Sequence, residues 1–216
     1  MDLKVFFPQS IPWEFHSPMI GKFNAYNVVS ALAATYLLGY NWKKASQGFR
    51  NFKGIPGRLQ SVPNPKGILA YVDFAHTDEA LRKVLKQLRE TIKKSPQARL
   101  ICVFGCGGDR DAGKRRFMGK IAQQLADLCV VTSDNPRTEH PRKIIDEIIS
   151  DINMAEGRVF IEEDRKKAIV RSANLAQKGD VVVVCGKGHE KFQIVGDQEL
   201  PFSDYDILKE CLQEDD

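Results

Sequence analysis

The chain has 216 residues, 43% of them hydrophobic and 28% charged, with a formal net charge of +4. That length fits one full domain plus a smaller piece, and the apolar fraction excludes wholesale disorder. The basic excess is mild, and Lys and Arg are interleaved with Glu and Asp without aromatic residues at platform spacing, which argues against a nucleic-acid partner.

Residues 1–20 read as irregular or short-stranded, with prolines at Pro8, Pro12 and Pro18. An Ala- and Leu-rich helix is predicted over 24–38, stopped by Gly39, and a shorter one over 41–52. The stretch from Gly54-Ile55-Pro56-Gly57 to Pro65 reads as a boundary. A helix pair this small buries too little apolar surface to stand alone, so residues 1–57 are expected to be the tail of something larger. From 68 onward strands and helices alternate. Strands are predicted at 68–74, 100–104, 128–132, 158–161 and 181–185. Helices are predicted at 78–93, 113–125, 141–152 and 164–176. In the first of these, Leu81, Val84, Leu85, Leu88 and Ile92 share one face. The strands are continuous apolar runs, as burial on both faces requires. A hairpin pairing 192–195 with 198–200 is expected around Gly196-Asp197. The expected architecture is α/β: a Rossmann-like, mostly parallel sheet with helices on both faces, preceded by a small helical remnant.

Of the five cysteines, three lie inside Val/Ile-rich strand patterns and read as small buried hydrophobes. None has zinc spacing, and no metal site is expected. No stretch reaches the ~20 apolar residues of a membrane span. Together these features predict a soluble, cytoplasmic chain without membrane insertion.

Four loops at strand carboxyl ends carry unusual chemistry: 73–77, 105–115, 134–137 and 186–190. An open α/β sheet places its ligands there. Gly108 to Lys114 has the glycine and lysine spacing of a phosphate-binding Walker loop, but Arg115 stands where a hydroxyl is needed, and Asp109 and Asp111 would repel a polyphosphate. Arg110 is either an anion contact or part of an ion-pair knot with Asp109 and Asp111. Arg137 is a candidate carboxylate clamp. Asp134 and Asn135 either fix their turn or touch the ligand. Glu190 is placed to receive an ammonium, and these groups together suit a zwitterion. His189-Glu190 lacks the second histidine of a zinc protease motif. Lys187, between two glycines, either neutralises a phosphate or is solvated, and solvation is expected. Asp73 is able to accept from ribose hydroxyls, and His76 either meets phosphate or caps the next helix. Arg58 is a weak candidate for a phosphate contact.

These segments, with Gly21-Lys22-Phe23-Asn24-Ala25-Tyr26-Asn27 and Gly57-Arg58, occur in the order seen in the Mur ligases of peptidoglycan synthesis. The chain resembles that family, nearest its diaminopimelate-adding members, over almost its whole length. Phe74 stands where the family often has Tyr, Asp78 where Pro is common, and Arg116-Phe117 replaces a frequent Arg-Pro-Leu step. The resemblance implies an ATP-dependent ligase in which an acyl phosphate on a UDP-N-acetylmuramoyl dipeptide is attacked by an amino-acid amine. It implies nucleotide-side roles for Asn24, Asn27, Arg58, Asp73 and His76. It also implies a meso-diaminopimelate pocket built from Arg110, Asp134, Asn135, Arg137, Gly186 and Glu190. Residues 1–57 are expected to be the tail of the ATP-binding central domain and 58–216 the carboxyl-terminal domain. The family's main elements for ATP and Mg2+, and its UDP-sugar domain, are expected outside this chain. The chain alone is then expected to be inactive, or to complete a split ligase as a partner module with an upstream fragment in trans.

Overall fold

The computed structural model describes residues 1–6, 13–17, 19–52, 54–93 and 95–213. They form two compact units, Met1–Ile55 and Pro56–Asp216. In the first, β1 (Asp2–Val5) pairs antiparallel with β2 (Trp13–His16), followed by α1 (Lys22–Leu37) and α2 (Trp42–Asn51). The predicted prolines Pro8, Pro12 and Pro18 lie outside the described residues. Helix α1 ends where Gly39 adopts φ 76°, a left-handed conformation that glycine takes without penalty. Asn41 caps α2 by accepting from the Lys44 amide at 3.2 Å. The buried centre of this unit is small, formed by Val5, Val28 and Leu32. Phe23, Tyr26, Tyr36 and Leu37 on α1 remain exposed.

The second unit runs β3 (Gln60–Val62), β4 (Leu69–Asp73), α3 (Asp78–Ile92), β5 (Leu100–Phe104), α4 (Gly113–Leu125), β6 (Leu128–Val131), α5 (Pro141–Ile149), β7 (Val159–Ile161), α6 (Arg165–Leu175), β8 (Val181–Cys185), β9 (Phe192–Val195), β10 (Gln198–Pro201) and α7 (Asp204–Gln213). A 6-stranded sheet has the order β3-β4-β8-β5-β6-β7, parallel except for β3. From β4 through β5 and β6 to β7 the chain moves one way across the sheet, and β8 returns to slot between β4 and β5. Because crossovers keep one hand, that reversal sends α6 to the opposite face. Accordingly α3, α4 and α5 pack together, while α6 packs with α7. On the α6/α7 face, alternate strand residues Val72, Ile101, Val103, Val182 and Val184 meet Ile169, Leu208 and Leu212. The predicted stripe on α3 (Leu81, Val84, Leu85, Leu88 and Ile92) is buried throughout.

Three features differ from the sequence expectation. The edge strand β3 lies in the segment read as a boundary, α7 was not expected, and α5 ends three residues early. Past α5 the chain turns through a 3-10 segment, Met154–Glu156, after Asn153 has been tied to α4 by two hydrogen bonds with Gln123. Cys102, Cys106, Cys129 and Cys185 are buried and Cys211 half-buried, all as free thiols. Burial pushes the thiols of Cys106 and Cys129 up to about 12.

Candidate functional site

Strands β4, β8, β5 and β6 are neighbours in the sheet, so the loops leaving their carboxyl ends lie side by side. They enclose a cavity of about 460 Å³, a size suited to a small molecule. Arg110, Asp134, Asn135, Arg137, Gly186 and Glu190 all line it, and so does His76. Asp73 and Arg58 are not among its lining residues.

Glycines let these loops interlock. A Cβ at Gly105 would collide with the Thr132 carbonyl, and one at Gly108 with the Pro136 carbonyl. At Gly107 it would stand 2.9 Å from Arg137 Nη1. The glycine-rich loop after β5 thus accommodates the backbone after β6. Asp109 serves the same contact, whereas Asp111 closes its own loop at the start of α4. Asp109 accepts from the Thr138 hydroxyl at 2.7 Å and its amide at 3.2 Å, while Asp111 accepts from the Gly113 amide at 2.8 Å. Arg110 takes no part in this bonding, so the considered ion-pair knot of Asp109, Arg110 and Asp111 does not form among the described residues. Arg110 is exposed at the cavity.

Asn135 is 4% exposed and fully engaged on its oxygen side: Oδ1 accepts from Lys187 Nζ at 2.8 Å and from the Ile194 amide at 3.0 Å. Its Nδ2 donates to Glu190 Oε2 at 2.9 Å. Lys187, expected to be solvated, is instead 0% exposed, and its ammonium also donates to Glu190 Oε2 at 2.8 Å. Two flanking glycines with φ 117° (Gly186) and 55° (Gly188) shape the turn that carries it. Burial pushes the Glu190 carboxyl up. Hydrogen bonds from Lys187 and Asn135, with the charges of Lys187 and Arg137, outweigh that and hold it below the usual glutamate value.

Arg137 sits at φ 53°, with its amide donating to the Ile194 carbonyl at 3.2 Å and its carbonyl accepting from the Gly196 amide at 2.8 Å. Nη1 donates to the Gly108 carbonyl at 2.8 Å. Nε and Nη2 have no hydrogen-bond partner among the described residues, which leaves an edge of the guanidinium able to grip a carboxylate. Asp134 is buried, with Oδ2 4.0 Å from Arg165 Nη1 and its carbonyl accepting from Gln193 Nε2 at 2.6 Å.

Asp73 is buried at the end of β4, and both oxygens accept backbone amides, from Leu59 at 2.7 Å and Ala75 at 2.8 Å. Burial raises its carboxyl above the ordinary value despite those amides and the nearby charge of Arg58. Arg58 is exposed, with its guanidinium carbon 5.3 Å from the Phe74 ring centre. His76 is exposed and its Nδ1 pairs with the Phe74 carbonyl at 2.9 Å. Helix α3 is capped by Thr77 rather than His76. In the first unit, half-buried Asn24 donates to the Ile20 carbonyl at 2.8 Å, and Asn27 donates to Asn24 Oδ1 at 3.4 Å.

The sequence reading missed the groups beneath these loops. Arg165 is buried and binds both oxygens of Asp204 at 2.8 Å, the Ser133 carbonyl at 3.1 Å and the Cys185 carbonyl at 2.9 Å. Arg115 ties the loop after β5 to Glu139 and Glu147, each at 2.7 Å. A signal for α7, and so for Asp204, was present: Ser203, three residues before Asp206, is a helix-start pattern ahead of the i,i+4 pair Leu208 and Leu212. Ser203 Oγ does accept from the Asp206 amide, at 3.2 Å.

Among the described residues, no three His, Cys, Asp or Glu side chains are grouped to hold a metal. The space beside Gly105 and Gly108 is filled by the neighbouring backbone rather than open to phosphate. No described helix is long and apolar enough to cross a membrane.

Residues 57–188 match the family model for the Mur ligase, glutamate ligase domain. UDP-N-acetylmuramoyl-L-alanyl-D-glutamate–2,6-diaminopimelate ligase of Clostridioides difficile (strain 630) is 44% identical over 195 residues, 90% of this chain and 40% of that protein. The ligase of the same name from Gloeobacter violaceus is 45% identical over 92% of this chain and 40% of its own length. A solved structure of a UDP-N-acetylmuramoyl-L-alanyl-D-glutamate–2,6-diaminopimelate ligase superposes with TM-score 0.72 at 36% identity, covering 98% of this chain and 42% of that one. The folylpolyglutamate synthase of Thermotoga maritima, at 20% identity and TM-score 0.62 over 82% of this chain and 38% of that one, shares the fold. The chain therefore spans about 40% of the length of the curated relatives it matches. Most of its second unit lies inside the matched segment, and by that match the chain belongs to the Mur ligase family through its glutamate ligase domain.

Proposed function

We propose that this chain is the amino-acid-binding, carboxyl-terminal portion of a ligase that joins meso-diaminopimelate to UDP-N-acetylmuramoyl-L-alanyl-D-glutamate. One observation carries the reading: the six residues that the family resemblance assigns to diaminopimelate line a single cavity. Arg137 offers a guanidinium edge to the distal carboxylate of the ligand, with Arg110 as a second cation. Glu190 Oε1 and Asp134 receive the distal ammonium. Gly186 keeps the wall low, since a side chain there would meet Asp134 Oδ2. Anchoring the distal amino-acid head orients the other head, whose amine is the nucleophile. Lysine lacks the second carboxylate and leaves Arg137 unpaired.

On this reading Met1–Ile55 is the end of the central domain, and the family resemblance assigns nucleotide-side roles to Asn24 and Asn27 in the first unit and to Arg58, Asp73 and His76 in the second. Asp73 would fill that role through the second lone pair of each oxygen, the first being held by an amide. Binding of ATP, Mg2+ and the UDP-linked dipeptide is assigned mainly to the part of the relatives' length outside the match. Because the cavity is lined wholly from Pro56–Asp216, the chain is also suited to complete a split ligase in trans.

Calorimetry with meso-diaminopimelate and L-lysine tests the pocket. A charge-assisted pairing is worth ~1.5–3 kcal/mol, so diaminopimelate should bind about 10- to 150-fold tighter. Arg137→Ala should abolish the difference. Equal affinity of the unaltered chain for both ligands would overturn the assignment. Phosphate release from ATP, with and without an added upstream ligase fragment, separates the in-trans role from simple binding.

A further inference from the structure

We propose that Lys187 is a positioning residue: from beneath the cavity it fixes Asn135 so that this side chain only donates, and Glu190 so that it only accepts, toward an amino-acid ligand. The inference rests on the amino-acid-binding reading of the cavity and deepens it. Lys187 is not among the cavity's lining residues and is fully buried, yet its ammonium touches two side chains that are.

The amide orientation of Asn135 is ordinarily a matter of assignment, because its oxygen and nitrogen look alike. Here chemistry decides it. The two groups on Oδ1 are an ammonium and a backbone N–H, neither of which accepts a hydrogen bond. Turning the amide over would set an NH2 against two donors. Nδ2 is thereby directed at Glu190, with one N–H used on Oε2 and the other left for a ligand oxygen. Glu190 has Oε2 occupied by two donors, so Oε1 is its accepting atom for a ligand ammonium. Without the buried cation, Asn135 Oδ1 would keep the Ile194 N–H as its one donor, and half-buried Glu190 would keep one donor in place of two.

The charges around Glu190 come from separate elements. Lys187 faces it from its own loop and Arg137 from the loop after β6. Asp134, Arg110, Asp111, Lys114 and His76 stand elsewhere on the cavity wall. Removing Lys187 leaves Arg137 as the cation acting on Glu190, so the Glu190 midpoint should rise.

The test uses the whole chain with its glutamate carboxyls labelled with 13C, titrated by NMR, and meso-diaminopimelate followed by calorimetry. In the unaltered, ligand-free chain Glu190 should titrate below an ordinary glutamate; a midpoint at or above the ordinary value overturns the proposal without any variant being needed. In Lys187→Met the Glu190 midpoint should rise and ligand affinity should fall at least 10-fold, with a larger loss at lower pH. In a Glu190→Gln background the same substitution should cost less than in the unaltered chain, because the part of its effect that acts through Glu190 is already gone while the part through Asn135 remains. An unchanged Glu190 midpoint, or full multiplication of the two losses, overturns it. If the unaltered chain binds no diaminopimelate while the Glu190 titration behaves as expected, the functional reading fails and the electrostatic linkage stands. If it binds and Lys187→Met is indistinguishable, only the positioning role fails.

Discussion

Arg165→Met would remove the cation on which the floor of the site is built. Both partners of the Arg165–Asp204 pair have fully buried side chains. The guanidinium also donates to the Ser133 carbonyl just before Asp134 and to the Cys185 carbonyl just before Gly186. It therefore ties together α6, α7 and the ends of β6 and β8. A buried ion pair contributes little net stability against an apolar replacement, but leaving one partner alone costs about 3–5 kcal/mol. Met fills much of the vacated volume, so the lone Asp204 and two undonated carbonyls dominate, and a loss of ~4 kcal/mol is expected. Against a total of ~5–15 kcal/mol that is a large fraction. At roughly 2–4 °C per kcal/mol for a chain of this size, Tm should fall by about 8–16 °C. Urea denaturation followed by circular dichroism would give the difference, with an unchanged slope certifying the same unfolding transition. Arg165→Met with Asp204→Leu should recover at least half of the loss, because no buried charge is left; the two carbonyls keep recovery incomplete. A single-variant loss below ~1 kcal/mol, or a double variant no better than the single, would refute the reasoning.

Two glycines should respond in opposite directions. Gly108→Ala drives a methyl into the Pro136 carbonyl and should cost ~1–3 kcal/mol while weakening diaminopimelate binding. Gly48→Ala lies within α2 with nothing inside 4 Å and should stabilise by about 0.5–1 kcal/mol, read as a raised Tm. Acid sensitivity should report the Arg115 cluster. The Arg115 hydrogen bond, then the Asp109 amide, hold Glu139 down to about 2, below its ordinary value of 4.5. Its stabilising contribution is complete above that ordinary value and disappears as pH falls toward about 2. In Glu139→Gln, stability should therefore fall less steeply across that window, and an identical acid limb would contradict the assignment.

Most of the second unit was legible because its signals are local. The continuous apolar runs at 100–104 and 181–185 match β5 and β8 residue for residue, and the apolar stripe on α3 needs no partner to be recognised. Short β3 offered only three residues, too few for any periodicity, and pairs with β4 through a contact that sequence does not announce. The cavity was legible as loops but not as a network. Lys187 between two glycines reads as a solvated cation, and nothing in its neighbourhood shows that Asn135, 52 positions away, lies within 2.8 Å. Likewise the hairpin at 192–201 was foreseen as a hairpin, but its service to Asp134, Asn135 and Arg137 depends on tertiary placement.

The backbone adds a further link between fold and site. Three described residues other than glycine have left-handed φ, namely Leu59, Asp109 and Arg137, and all three belong to or support these loops. Such conformations cost of order 1–3 kcal/mol each for ordinary side chains and persist only where the surroundings over-determine them. The restraint is visible in each case. The amide of Leu59 is held by Asp73, and that of Asp109 by Glu139 at 2.7 Å. Arg137 is gripped on both sides of its peptide by Ile194 and Gly196. Asp73, assigned a ribose from the loop pattern, thus also holds the chain that leads into the domain. Arg137, assigned a carboxylate, has its backbone conformation fixed by the hairpin and its guanidinium oriented by the Gly108 carbonyl before any ligand arrives. Holding the donor in place beforehand lowers the ordering cost of binding. The cost of the unusual backbone is met instead during folding, by a hairpin that is remote in sequence from the arginine it braces.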